Sequence, residues 1–410
     1  MRFKTEAFKA LHITEFRNYT LARLFITLGT QMQAVIVGWQ VYQLTKDPFS
    51  LGLIGLAEAI PSILTALISG HIVDISDRKK ILISSFMLMF VCSASLLFIS
   101  TDTLALVTHR KVIAIYSVIF ISGIARGFSI PSAFALLGQI IPKELYPNAI
   151  SWNTTTWQVG AVAGPAIGGL LYGFLGVSLS YASVVTMAFI AIVLISFISK
   201  KPVPEITGNI PLGERLSAGI RFVFSNKIIL SAMSLDMFAV LFGGAVAMLP
   251  VYAGEILKIG AEGLGLLRAA PSVGAVIMAL FLTHKPPTSN AGRNLMVCVA
   301  GFGVCIIIFG LSQSFILSLI ALALSGMFDS VSVVIRQTII QLKTPENMKG
   351  RVSAVNSIFI GSSNEIGAFE SGLAAKLMGV VPSVLFGGVM TLVTVIIVAF
   401  SSRSLRKLKL

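Results

Sequence analysis

Gly55-Leu-Ala-Glu-Ala-Ile-Pro61-Ser62 stands near the start of one long apolar run, and Gly265-Leu-Leu-Arg-Ala-Ala-Pro271-Ser272 near the start of another, 210 residues later. A bilayer-spanning helix needs about 20 apolar residues. Working outward from these two segments, twelve runs meet that length: roughly 18–44, 49–73, 80–100, 112–135, 149–174, 178–199, 228–256, 262–283, 294–311, 314–340, 351–378 and 382–401. The runs are too long for strands and lack period-two alternation. Connections as short as Thr45–Pro48 and Gly176–Val177 force neighbouring helices to run antiparallel.

Composition agrees. Of 410 residues, 55% are hydrophobic and 12% charged, whereas a soluble domain carries about 25% charged residues. A secreted disulfide scaffold, a nucleic-acid-binding domain and a disordered tail are excluded as the main reading. Cys92, Cys298 and Cys305 all lie within apolar runs, with no CxxC pair. His12, His71, His109 and His284 are scattered. The expectation is therefore no metal site and no cofactor. The segment Met1–Asn18 is basic without an apolar core and is not expected to be a cleavable signal peptide.

The net charge of +14 is explained by its placement. Of 31 Lys and Arg residues, 22 fall on one side of the predicted spans, including Arg78, Lys79, Lys80, Lys200, Lys201 and Arg403; five fall on the other: Lys46, Arg110, Lys111, Lys258 and Lys376. The positive-inside rule puts the first set, and both termini, in the cytoplasm of a multi-pass plasma-membrane (bacterial inner-membrane) protein. The basic pI reports contact with the lipid bilayer and no nucleic-acid partner.

The longest polar stretch, Lys200 to Asn226, holds Pro202, Pro204 and Pro211 and then an amphipathic piece from Leu212 to Phe224. It divides the chain into an N-terminal six-helix bundle (1–199), a cytoplasmic linker (200–226) and a C-terminal six-helix bundle (227–410). The halves repeat. Gly123, Pro142, Asn153, Gly164 and Gly169 match Gly326, Pro345, Asn356, Gly367 and Gly372 at an offset of 203. Two six-helix halves in the same orientation imply a pseudo-twofold axis along the membrane normal. That is a transporter architecture, with its substrate site between the halves.

Two motifs carry a resemblance. Gly70-His-Ile-Val-Asp74-Ile-Ser-Asp77-Arg78-Lys79-Lys80 follows the second run. It resembles motif A of the major facilitator superfamily at Gly70, Asp74, Arg78 and Lys79, with Asp77 standing where that family usually has Gly. Gly160-Ala-Val-Ala-Gly164-Pro165-Ala-Ile-Gly168-Gly169 resembles motif C of the antiporter branch, with Ser151 where the longer motif has Gly. Arg23 to Gln33, Gly38-Trp39-Gln40-Val-Tyr42 and Leu235 to Gly244 are similar to the enterobactin-exporter-like group. The resemblance covers essentially the whole chain. It implies an all-α fold of twelve transmembrane helices in two pseudo-symmetric bundles. It further implies proton-linked export of small organic molecules, siderophores or drug-like compounds, by alternating access. In that family the motif A Asp caps a helix of the other half, which here would start near Gly350 to Ser353. The motif C glycines form a close-packed hinge.

A charge in mid-span costs roughly 2.5–3.5 kcal/mol on insertion scales and marks a polar cavity or a partner. Glu58, Arg126, Asp236, Arg268, Asp329 and Arg336 are such residues, as are Glu365 and Glu370. Glu58 and Arg268 are repeat-equivalent, as are Arg126 and Asp329, and each pair has opposite signs. The resemblance implies that Arg126, Asp236 and Asp329 face the cavity, with Asp236 or Asp329 as the protonation site. Gln31, Gln33, Gln40, Asn153, Trp157, Asn356 and Asn364 complete an expected substrate pocket. The expected partners are a small-molecule substrate, protons and lipid, with the protein acting as a monomer. No Gly-Lys dipeptide, and so no P-loop, exists in the chain. Clustered catalytic chemistry is lacking, so no enzyme is expected. The remaining alternatives are an uptake transporter of the same fold and a non-transporting scaffold or sensor.

Overall fold

Within a bilayer no water pairs with backbone N–H and C=O groups, so each apolar run closes its hydrogen bonds within itself as a helix. A computed structural model describes residues 8–101, 107–203, 212–282, 290–345 and 348–408. Its long helices are α1 (Thr14–Thr45), α2 (Pro48–Ile75), α3 (Arg78–Ser100), α4 (Thr108–Ile140) and α5 (Tyr146–Ser196). The linker helix α6 (Leu212–Ser225) follows, then α7 (Lys227–Phe242), α8 (Ala245–Val251) and α9 (Gly260–Leu282). The chain continues through α10 (Ala291–Leu311), α11 (Phe315–Lys343), α12 (Lys349–Met378) and α13 (Val380–Ser401). Strands are absent among the described residues.

Among the described residues, ten segments are long and apolar enough to cross a membrane by length and composition. One of them, Lys143–Ser196, contains α5, which turns at Gly176 (φ 78°) and so holds two of the runs. Helix α12 is not among the ten, since Asn356, Asn364, Glu365 and Glu370 dilute its apolar content. With these two adjustments all twelve runs are helical, and the fold is the all-α, multi-pass fold the sequence indicates. The seventh run is interrupted at Gly243–Gly244, between α7 and α8, and ends in a π-helical turn at Tyr252–Ile256. The break coincides with a close approach: a Cβ on Gly244 would lie 2.7 Å from the Gly367 carbonyl oxygen of α12.

The chain forms two compact units, Met1–Thr45 with Ala57–Gly208, and Lys46–Leu56 with Asn209–Leu410. The first centres on Phe16, Tyr19, Ala22, Leu82, Phe86, Ala133, Leu136 and Ile195. Buried Tyr19 donates its hydroxyl to the Ala133 carbonyl oxygen at 2.9 Å. At the end of this unit where α1 starts, the Glu15 carboxylate accepts from Lys201 Nζ (2.6 Å) and from the Ser199 backbone N–H (2.9 Å). The first residues of the linker are tied down there.

In the second unit Ala232, Leu235, Leu295, Val299, Ile335 and Ile339 form one cluster. Helix α6 docks on the same unit through Val223, which packs with Ile229, Met233, Ile340, Val352 and Val355. Gly219 lets it approach, since a Cβ there would fall 2.9 Å from the Arg351 carbonyl oxygen. The amphipathic piece of the linker therefore docks on this unit through Val223 and Phe222, while Ile220 and Phe224 stay exposed. The proline-containing segment 204–211 lies outside the described residues. The outer turns of α2 also pack in this unit: Phe49 lies 5.9 Å from Phe369, and a Cβ on Gly52 would sit 3.1 Å from Gly372 Cα.

Candidate functional site

Asp77, the departure from motif A, has a local reason: it is the N-cap of α3, and its carboxylate accepts from the Lys80 backbone N–H at 3.2 Å. A carboxylate there satisfies one of the four unpaired donors of the helix start, which Gly cannot do. Asp77→Ala is expected to cost about 1 kcal/mol of stability, read as a lowered unfolding temperature in detergent. The next two residues reach other helices of the same unit. Arg78 Nη1 donates to the Ala135 carbonyl oxygen (3.1 Å), and Lys79 Nζ donates to the carbonyl oxygens of Ser196 (2.9 Å) and Ile198. Cations are stabilising at helix C-termini, where carbonyl groups lack partners. Motif A thus staples the start of α3 to the side of α4, at Ala135, and to the end of α5. Gly70 lies in open space. The Asp74 side chain lies outside what the structure describes, and with it the cap expected from it at the start of α12.

The motif C glycines form one stripe along α5 that faces α1. A Cβ on Gly160 would fall 2.6 Å from Thr27 Cγ2, one on Gly164 2.6 Å from Gln31 Cβ, and one on Gly168 2.9 Å from Met32 Cα. Pro165 and Gly169 are buried beside them. Small residues at four-residue spacing allow backbone-to-backbone contact between membrane helices. The repeat partner behaves alike: a Cβ on Gly367 of α12 would lie 2.7 Å from the Leu241 carbonyl oxygen of α7. The repeat is realised in space as well as in sequence.

The charged positions divide differently in the two units. In the first, Glu58 of α2 forms an ion pair with Arg126 of α4. Their repeat partners in the second unit are Arg268 of α9 and Asp329 of α11. The crossing is the same, because Gly123 abuts Pro61 in the first unit and Gly326 abuts Pro271 in the second. The ion pair is not repeated. The charge acting on Arg268 is Glu365 of α12, and the position equivalent to Glu365 in the first unit is Val162. Asp329 makes no hydrogen bond or ion pair among the described residues.

Asp329 instead lines a small pocket with Asp236, Ala239, Val240, Cys298, Val299, Phe302 and Ser332, from α7, α10 and α11. Asp236 is paired there with Arg336, and the two are 6% and 2% exposed. Two carboxyl groups thus line this pocket, and the one cation beside them, Arg336, is paired with Asp236, which leaves Asp329 without a paired cation among the described residues. The first unit buries a comparable pocket lined by Thr30, Gln33, Ser93 and Ser122 among apolar groups. It contains no charge.

Among the expected substrate residues, Gln33 accepts from Ser93 Oγ at 2.7 Å and Gln40 accepts from the Tyr181 hydroxyl at 2.8 Å, both buried inside the first unit. Gln31 lies against Gly164. Asn153 is half-buried and Trp157 is 49% exposed, both on α5. On α12, Asn356 is buried, whereas Asn364 is exposed and donates to the Ile360 carbonyl oxygen at 2.9 Å. Ser332 was missed by reading the sequence. Its signal was the spacing of Asp329, Ser332 and Arg336, at i, i+3 and i+7, along one face of α11.

Comparison with known proteins bears directly on this architecture. A family model described as transmembrane secretion effector, MFS_3, matches residues 5–409. The enterobactin exporter EntS of Shigella flexneri is 25% identical over 368 residues, 90% of this chain and 87% of that protein. The enterobactin exporter EntS of Escherichia coli O81 (strain ED1a) is 26% identical over the same shares. A D-xylose–proton symporter superposes with a TM-score of 0.76 at 14% identity, covering 97% of this chain and 99% of the symporter. A bacterial homologue of the human lysosomal transporter Spinster gives a TM-score of 0.72 at 12% identity, covering 96% and 95%. At those identities the likeness shows the fold alone. The protein is a multi-pass inner-membrane transporter of small molecules and not an enzyme. With its match running from residue 5 to residue 409, the chain belongs to the MFS_3 family of transmembrane secretion effectors within the major facilitator superfamily.

Proposed function

We propose that this protein exports small organic molecules of siderophore or drug-like type in exchange for protons. It does so as a monomer, by alternating access of the bundles 1–199 and 227–410 about the 200–226 linker. The observation that carries the reading is the pocket of the second unit, where Asp329 stands without a counter-ion beside the Asp236–Arg336 pair. An unpaired carboxylate in a membrane span is costly when ionised and is relieved by taking up a proton. Its charge therefore follows the proton gradient, while Asp236 keeps its charge against Arg336. The Glu58–Arg126 pair holds α2 to α4, and Arg268 holds α12 through Glu365. Gln31, Asn153, Trp157, Asn356 and Asn364 contact the cargo. Export is supported by the glycine stripe of motif C and by the named activity of the relatives.

The test uses purified protein in liposomes with enterobactin as probe. An imposed proton gradient drives accumulation with the wild type. Asp329→Asn loses that accumulation by at least about tenfold, equivalent to 1.4 kcal/mol of lost coupling, while substrate exchange without a gradient continues. Undiminished gradient-driven accumulation in Asp329→Asn rejects the assignment. Equal accumulation with and without the gradient in the wild type rejects proton coupling.

A further inference from the structure

The acid-lined pocket contains a polar atom that neither motif explains. Ser332 is 2% exposed, and its hydroxyl oxygen has no hydrogen-bond partner among the described residues. Many buried serines and threonines in this protein return their hydroxyls to a backbone carbonyl three or four residues back, as Ser325 does to Leu322 at 2.7 Å and Thr391 to Gly387 at 3.0 Å. Ser332 does not. Thr20, Ser132 and Thr344 share with it the lack of a partner among the described residues, but none of them lines this acid-bearing pocket. Ser332 lines it with Asp236 and Asp329. A buried hydroxyl left unpaired costs about 1–3 kcal/mol, so native structures supply a partner. The free space takes about one water molecule, and three polar groups surround it, which is what an ordered buried water needs.

We propose that one water molecule occupies this pocket, bonded to Ser332, Asp329 and Asp236, and that Ser332 positions it as a hydrogen-bond switch read by the charge on Asp329. The idea rests on the proton-coupled reading above and adds how the second unit registers the proton. With Asp329 ionised, the water donates one hydrogen to Asp329 and the other to Asp236, and accepts the Ser332 hydroxyl proton. With Asp329 protonated, its O–H donates to the water, which then donates to Asp236 and to Ser332 Oγ. The Ser332 hydroxyl is released to turn towards the Phe328 carbonyl one helical turn back. Every donor is matched in both states, and the only net change is the one proton added to Asp329. The charged or titratable groups that face Asp329 are Asp236 from α7, Cys298 from α10 and Arg336 from its own helix. Arg268, on the neighbouring α9, is engaged by Glu365. The proton is thus converted into a reorientation at the α7–α11 contact, where Asp236 and Arg336 hold the two helices together.

The test is infrared difference spectroscopy of the full-length protein in lipid on acidification, which requires no cargo. A carboxylic-acid C=O band that disappears in Asp329→Asn reports the protonated Asp329. In Ser332→Ala that band is expected at higher frequency, because the carboxyl loses its ordered water. Ser325→Ala, an equally buried hydroxyl on the same helix, leaves the band in place. A high-resolution density map should show one ordered water between the three side chains in the wild type. An Asp329 band unmoved by Ser332→Ala, or a dry pocket, overturns the switch while leaving proton uptake at Asp329 standing. Absence of any Asp329-dependent band overturns the proton reading and the switch together.

Discussion

Asp236→Ala is expected to lower the stability of the second unit by about 3–5 kcal/mol, the cost of leaving one member of a buried ion pair alone. Arg336 is 2% exposed and sits on α11, whereas its partner is on α7. Once Asp236 is gone, the guanidinium loses the ion pair that holds it in this buried position, beside Ile335 and Ile339 of the core they share with Leu235. For a unit of about 200 residues, a loss of that size corresponds to a fall of about 6–20 °C in the unfolding temperature. The paired change Asp236→Leu with Arg336→Met should recover most of the loss. Replacing both partners of a buried ion pair by apolar groups of similar volume is often neutral for stability. Transport should not recover, because the groups that surround the Asp329 pocket are then gone. A double variant as unstable as Asp236→Ala alone would show that the pair is not the cause. Thermal unfolding in detergent and gradient-driven transport in liposomes read the two effects separately.

Gly168→Leu is expected to be the most damaging single change in motif C. The added Cβ would lie 2.9 Å from Met32 Cα and 3.0 Å from the Met32 carbonyl oxygen. Both are backbone atoms of a continuous helix, so the conflict cannot be relieved by a rotamer change. Overpacking of this kind costs about 1–3 kcal/mol and separates α5 from α1 along the stripe. Gly70→Ala, in motif A, is the contrasting variant. Nothing lies within 4 Å of its added Cβ, so its effect on the unfolding temperature should be small. Gly168→Leu and Gly70→Ala unfolding alike would contradict the assignment of motif C as a helix-contact stripe. In transport, Gly168→Leu should also raise passive leakage of the probe, since the contact between α1 and α5 is no longer closed.

Most of the fold was legible because a membrane restricts what a chain can do. Twelve apolar runs of sufficient length have one solution each, a helix that closes its own backbone hydrogen bonds. The break at Gly243–Gly244 was not legible. A Gly pair in an apolar run also suits tight helix packing without a break, and only the tertiary structure shows the interruption beside the closely approaching Gly367 of α12. Motif A was readable as a pattern, but the contacts that Asp77, Arg78 and Lys79 make depend on where α4 and α5 lie. Gln33 and Gln40 read as substrate contacts because a polar residue in a span invites that interpretation. In the structure Ser93 and Tyr181, sixty and more residues away in the chain, already use their amide oxygens.

The sequence alone determined that this is a membrane protein of twelve helical runs in two repeated halves, because backbone groups in lipid must pair within each run and because the Gly, Pro and Asn positions recur at a fixed offset. It also marked which side chains are costly in a membrane and so need a reason to be there. Only the tertiary structure decided how those charges combine. Repeat symmetry by itself pairs Arg268 with Asp329, as Glu58 pairs with Arg126. Glu365, on a helix that the sequence could not bring alongside, is the acid whose charge acts on Arg268 instead. Ion pairing depends on distances of a few ångströms between helices far apart in the chain. That is why the acid left over, Asp329, could be named from the sequence as a candidate but could be singled out only in space.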